Sequence, residues 1–168
     1  MTMPPRVRKA ALTTHVVCSV GWLGAVAGSL ALAVAALVTD DERTMRGLYL
    51  AADVTGWFAL VPLSLASLAT EIVQGLGTKW GLFRYWWVVV KILITVVPVI
   101  VLLMYTQTLG VLADLAREAT RANAEGETLP APSPVLHAAA AQLLLLVTTT
   151  LAVFKPPGLT AFGRRRRL

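Results

Sequence analysis

Five ionisable side chains stand inside long apolar runs of this chain: His15, Asp53, Glu71, Lys91 and His137. A charge at the centre of a membrane-crossing helix costs roughly 2.5–3.5 kcal/mol on insertion scales, so such groups are expected to face a bundle interior, a partner or a ligand. Imidazole can carry a proton near neutral pH or ligate a metal, and a carboxylate can neutralise a buried ammonium. Depth sorts the five. At 1.5 Å per residue, His15 lies roughly 9 Å beyond Lys9, Lys91 roughly 10 Å beyond Arg84, and Glu71 within roughly 12 Å of Lys79. These three form an inner group. Asp53, roughly 10 Å below Arg46, and His137, just behind Pro134, form an outer pair.

Within the inner group, Glu71 is the intramembrane carboxylate at the level of Lys91, and a short loop joins their helices. An ion pair between them is expected, set against two side chains that each reach separately to the headgroups. His15, Ser19 and Trp22 share one face of their helix, and Ser29 continues the stripe. His15 reads as a packing residue held by hydrogen bonds, a proton carrier or an axial haem ligand. Trp22 would wall its pocket. His137 lies too far away in height to hold the same haem. Cys18 is a lone thiol in an apolar helix and reads as a small filler. No phosphate loop, HExxH, CxxC or serine–histidine–acid pattern is legible, so hydrolase and NTPase chemistry find no motif.

The elements that must position these groups are helices. The 168 residues are 57% hydrophobic and 14% charged, against about 45–50% and about 25% in soluble domains, which places the chain among integral membrane proteins. Four blocks are long enough to cross a bilayer: about 11–38, 48–76, 83–108 and 134–154. The expectation is an all-α, single-domain, four-helix transmembrane bundle with a basic tail over 155–168. The first block follows MTMPPRVRKA but runs from Ala10 to Val38, too long for a signal peptide, and reads as a retained helix. Charged, glycine-punctuated and proline-rich linkers separate the blocks (Thr39–Arg43, Gly75–Lys79, Leu129–Pro134).

Lysine and arginine set the direction. Ten of them (Arg6, Arg8, Lys9, Lys79, Arg84, Lys155 and Arg164 to Arg167) fall on the side of the termini. Four (Arg43, Arg46, Arg117, Arg121) fall on the other. Both termini are therefore expected in the cytoplasm. Arg164, Arg165, Arg166 and Arg167 are suited to anionic lipid. The net charge of +6 clusters at segment ends, which speaks for topology and lipid rather than nucleic acid.

In the third, outer loop, Leu112, Leu115, Ala116 and Ala119 share a face opposite Asp114, Arg117, Glu118 and Arg121. This predicts a short amphipathic helix or an extension of the third span. Gly21, Gly24 and Gly28 line the first span, with Gly24 and Gly28 spaced as GxxxG. Ala52, Gly56, Ala59 and Ser64 to Ser67 do similar work on the second, and packing within the bundle is expected of all of them. Pro62 and Pro98 are expected to kink their helices. Homo- or hetero-oligomers stay open.

The run from His15 through Ser19, Gly21 and Trp22 to Gly24, and the later run Trp86-Trp87-Val88-Val89-Val90-Lys91, together resemble a family of small actinobacterial four-helix membrane proteins of unknown function, over most of the chain. The same two motifs are similar to the membrane domain of copper-resistance D proteins and to HemJ-type protoporphyrinogen oxidase. There, a helix-one histidine and a membrane lysine are implicated in haem binding and catalysis. The resemblance implies haem b as a cofactor and carries those roles to His15 and Lys91. The chain departs from the pattern at Met104-Tyr105-Thr106-Gln107, which lacks a histidine common in relatives.

Three functions follow as expectations. The first is a haem, metal or redox-ligand site, or a proton-coupled step, at His15, Glu71, Lys91 and Trp22. The second is a non-enzymatic scaffold or subunit whose charges fix helix register. The third is a small metal or proton transporter.

Overall fold

The computed structural model describes residues 3–78, 81–122 and 131–165. Lys79, Arg166, Arg167 and the stretch 123–130 of the third loop lie outside the described residues. Four helical spans are each long and apolar enough to cross a bilayer. They are α1 (Pro5–Val38), a second span of α2 (Glu42–Thr55), a π-turn (Gly56–Leu60) and α3 (Val61–Gly77), then α4 (Trp86–Ala122) and α5 (Ser133–Phe154). A short α6 (Ala161–Arg165) follows. Successive spans are joined by short turns where described, so they run antiparallel, as in up-and-down bundles.

The spans form a square. α1 packs on α2, α3 and α5, and α4 packs on α2, α3 and α5. Among the described residues α1 and α4 have no backbone approach, nor have the second span and α5. Those are the diagonals. Side chains that reach along a diagonal meet on the bundle axis, and this is how residues far apart in sequence come together here.

The outer surface is apolar. Phe58 is 81% exposed and Phe154 78%, with Val17, Val20, Leu93 and Met104 beside them on outward faces. An apolar surface on this scale agrees with four helices long and apolar enough to cross a bilayer. The helices begin and end for local reasons. Asp41 caps α2, its carboxylate accepting from the Thr44 amide at 3.0 Å and from the Thr44 hydroxyl. These bonds hold the Asp41 carboxyl below the usual carboxylate range. α5 ends at Lys155 in the left-handed conformation, its amide donating to the Leu151 carbonyl at 3.0 Å, and Pro156 and Pro157 follow.

Pro62 is accommodated by a π-turn rather than a simple kink. In a regular α-helix its ring would press on the carbonyl of Phe58, four residues back. The preceding turn is widened instead, with the Val61 amide donating to the Gly56 carbonyl, five residues back. Pro98 stays inside α4 and is buried.

Three sequence expectations are sharpened or changed. Of the two forms expected for the outer segment, the described residues show the extension of the third span rather than a separate amphipathic helix, because α4 runs unbroken to Ala122. Its buried face is Leu109, Ala113, Ala116 and Ala119, while Leu115 is exposed. Close approach to the Met45 and Tyr49 side of α2 favours alanine over leucine at the contact. Second, Gly24 and Gly28 do not pack inside the bundle. A Cβ at either would meet nothing within 4 Å, whereas one at Gly21 would lie 3.3 Å from Leu63. Third, α1 starts at Pro5, the second span at Glu42, and α4 extends to Ala122, so all three exceed their apolar cores.

The end of the bundle that carries the termini is stitched by them. The Met3 amide donates to the Gly77 carbonyl at 3.1 Å. The tail lies against the second loop: the Thr160 amide donates to the Arg84 carbonyl at 3.1 Å, and the Trp86 amide to the Gly158 carbonyl at 3.2 Å. The Thr160 hydroxyl adds a 2.5 Å bond to the Phe83 carbonyl and accepts from the Gly163 amide at 3.0 Å.

Candidate functional site

Three helices meet at the inner end of the bundle axis. α1 brings His15, α3 brings Ser67, Thr70 and Glu71, and α4 brings Lys91. On α3, Ser64, Ser67 and Glu71 are buried at helical spacing, forming a polar stripe directed at the axis. Lys91 is long enough to reach along the diagonal from α4. Its ammonium lies 3.4 Å from Glu71 Oε1 and 3.4 Å from His15 Nε2. The side chains of Glu71 and Lys91 are 7% and 13% exposed, so the expected ion pair forms in the interior.

The hydrogen bonds fix the imidazole tautomer. Thr70 Oγ1 directs its one proton to its own helix, with the Ala66 carbonyl at 2.7 Å and the Ser67 carbonyl at 2.9 Å. Its oxygen is then an acceptor for His15 Nδ1–H at 3.0 Å. Nε2 carries the lone pair and faces the Lys91 ammonium. Both lysine contacts exceed the roughly 2.7–2.9 Å of a tight charge-assisted bond. Glu71 Oε1 is within ion-pair range of Lys91, yet no donor is aligned on it as a hydrogen bond. An ammonium has three protons and rotates freely, so the 3.4 Å separation defines the contact. One turn above, Ser19 and Ser67 hydroxyls bond to each other at 2.8 Å and close the polar layer.

Trp22 belongs elsewhere. It lies two turns above His15, is 2% exposed, and packs with Val26, Leu60, Val99 and Leu145 in the central apolar cluster. It walls a separate cavity in the outer half rather than the polar group. Asp53 and His137 are not brought together either. Asp53 pairs with Arg117 at 3.3 Å, and Arg117 also holds Asp114 at 2.6 Å. His137 stacks on Tyr105 with ring centroids 3.9 Å apart, and its Nδ1–H donates to the Ser133 carbonyl at 2.8 Å.

Two partners in these groups escaped the sequence: Thr70, which orients His15, and Tyr105, which stacks on His137. The signal for Thr70 was the hydroxyl spacing Ser64, Ser67, Thr70 leading to Glu71. Nothing in the sequence singles out Tyr105 from other apolar-helix tyrosines.

Haem is the group that the resemblance implies, and the residues do not fit axial ligation by His15. Nδ1 is committed to Thr70, and an ammonium stands on the Nε2 lone pair where iron would bind. Among the described residues no three His, Cys, Asp or Glu side chains gather as a metal site. No family model matches this chain, and no curated protein or solved structure shows significant similarity to it.

Proposed function

We propose that this chain is a multi-pass protein of the bacterial cytoplasmic membrane, with both termini in the cytoplasm, and that His15, Lys91 and Glu71 form a proton-exchange site in its inner half. The observation that carries this is the position of the Lys91 ammonium, 3.4 Å from a carboxylate oxygen on one side and 3.4 Å from an imidazole lone pair on the other. An acid between two bases can give a proton to either. A proton arriving at Glu71 removes the charge that holds Lys91, which then donates to His15 Nε2. Thr70 keeps the imidazole turned so that Nε2 receives it. His15 is thus a proton carrier, Glu71 the acceptor and Lys91 the relay.

The site is local. Above the Ser19–Ser67 layer come Trp22, Val26, Leu60 and Val99, and the hydroxyls at this level, Ser64 and Thr95, donate to carbonyls of their own helices. This supports exchange on one side of the membrane over transport through it. The basic residues of the tail, including Arg164 and Arg165, suit contact with anionic lipid at the same surface.

A second reading draws on the same contacts. They tie α1, α3 and α4 together, which would suffice for a scaffold whose charges fix register. Nitrogen-15 NMR of the histidine and lysine side chains in lipid separates the two. For a proton-exchange site, the His15 resonances move with pH, and Glu71→Gln alters that movement. If His15 and Lys91 keep one protonation state throughout and Glu71→Gln leaves them unchanged, the cluster is a register lock.

A further inference from the structure

The outer half of the bundle carries a partly open cavity of about 180 Å³ lined by α1, α4 and α5 and by Ala52 and Leu60 of the second span. An apolar cavity of about 150 Å³ is enough to admit a benzene-sized ring. On α1 its lining runs from Trp22 to Ala33, which spans roughly 16 Å of helix, so the space is a slot rather than a sphere. Packed interiors hold few such voids. This one coincides with two departures from regular helix, since Leu60 of the π-turn and the buried Pro98 of α4 both line it. π-turns recur at functional sites.

Its polar groups are few and placed toward one end. Ser29 lines the slot, and its hydroxyl is buried without a hydrogen-bond partner. Other helix hydroxyls, such as Thr95, Thr106 and Thr148, donate to carbonyls of their own helix. At the outer mouth stand the stacked Tyr105 and His137, with the tyrosine hydroxyl 3.1 Å from Ser133 Oγ. The ring of His137 donates through Nδ1, which leaves Nε2 as an acceptor. The floor at Trp22 is apolar. A free hydroxyl donor at Ser29, above a narrow apolar slot, matches a ring that bears a carbonyl oxygen and carries a hydrocarbon tail, and the Nε2 acceptor of His137 suits the reduced, hydroxyl-bearing form of such a ring.

We propose that this cavity binds a membrane-soluble single-ring carbonyl compound with an alkyl or prenyl tail, the chemistry of a quinone, with its ring at the Ser29–Tyr105–His137 end and its tail directed toward Trp22. The site shares no residue with the His15–Lys91–Glu71 group, so it stands or falls independently of the proton-exchange reading.

The test uses the full chain in nanodiscs of quinone-free lipid, titrated with a decyl-substituted benzoquinone while tryptophan fluorescence is followed. Saturable quenching is expected, with its saturable part lost in Trp22→Phe and in Ala141→Phe, which fills the slot. Ser29→Ala should weaken binding roughly tenfold, the worth of one hydrogen bond in an apolar site. If Ala141→Phe does not fold, Ala138→Leu on the same wall replaces it. Decane serves as the tail without the ring. Quenching that rises linearly in the wild type, or saturable quenching that survives both wall variants, overturns the proposal. Competition by decane at the same concentration, with Ser29→Ala without effect, also overturns it and identifies an acyl-chain slot instead.

Discussion

At the residue scale, Lys91 explains why an apolar helix carries an ammonium. It is neutralised by Glu71 from α3 and hydrogen-bonded toward His15 from α1, so its charge is internal to the bundle. The energetic consequence is asymmetric. Replacing one member of a buried pair strands the other charge, at about 3–5 kcal/mol, whereas replacing both by groups of similar shape is close to neutral. Lys91→Met is therefore expected to lower thermal stability in detergent sharply, and Lys91→Met with Glu71→Gln to recover most of it. Equal losses in the single and double variants would show that the two groups do not depend on each other. His15→Ala should cost far less, since it removes hydrogen bonds without leaving an unpaired charge.

At the element scale, the four spans differ in what their small residues do. Gly21 sits against Leu63, and Gly56 against Leu109, where an added Cβ would lie 3.2 Å from the leucine. Gly24 and Gly28 face outward and support no helix contact within the chain. Glycine inside a helix is about 0.8–1.0 kcal/mol less favourable than alanine, so Gly28→Ala is expected to stabilise the monomer slightly in a thermal melt. Gly56→Ala, in the tight place beside the π-turn, is expected to destabilise it. A loss at Gly28 comparable to that at Gly56 would mean that the outward face of α1 is covered in the native assembly.

At the scale of the whole molecule, the square arrangement leaves an axis that is polar at the inner end and apolar with a slot at the outer end. Tail and second loop close the inner end through Thr160, Gly163 and the Phe83–Arg84 carbonyls. This places the basic tail at the same end as His15, Lys91 and Glu71, in keeping with the charge asymmetry of the loops. Reporter fusions at either terminus are expected to show a cytoplasmic location, and a cysteine introduced at Asp40 to label from the opposite side. Labelling of that cysteine from the cytoplasmic side would reverse the orientation and put the proton-exchange site on the outer half of the membrane.

Composition and block length by themselves determined four helices long and apolar enough to span a membrane, because twenty apolar residues in a row admit few other folds and the charged, glycine-bearing and proline-rich linkers mark their ends. The depth of His15, Glu71 and Lys91 was also legible, since rise per residue is fixed in a helix. What the tertiary structure alone decided is rotation. Whether Gly24 turns inward, whether Trp22 joins His15 or faces another level, and whether Asp53 finds His137 or Arg117 depend on how each helix is turned about its axis. In a chain apolar on nearly every face, the short polar stripes at His15–Ser19 and Ser64–Glu71 mark that turn locally and leave the rest of each helix undetermined. α1 shows the reason most plainly: apart from His15, Ser19 and Ser29, its faces look alike in sequence, and only packing against Leu63, Ser67 and Thr70 chose which of them became the interior.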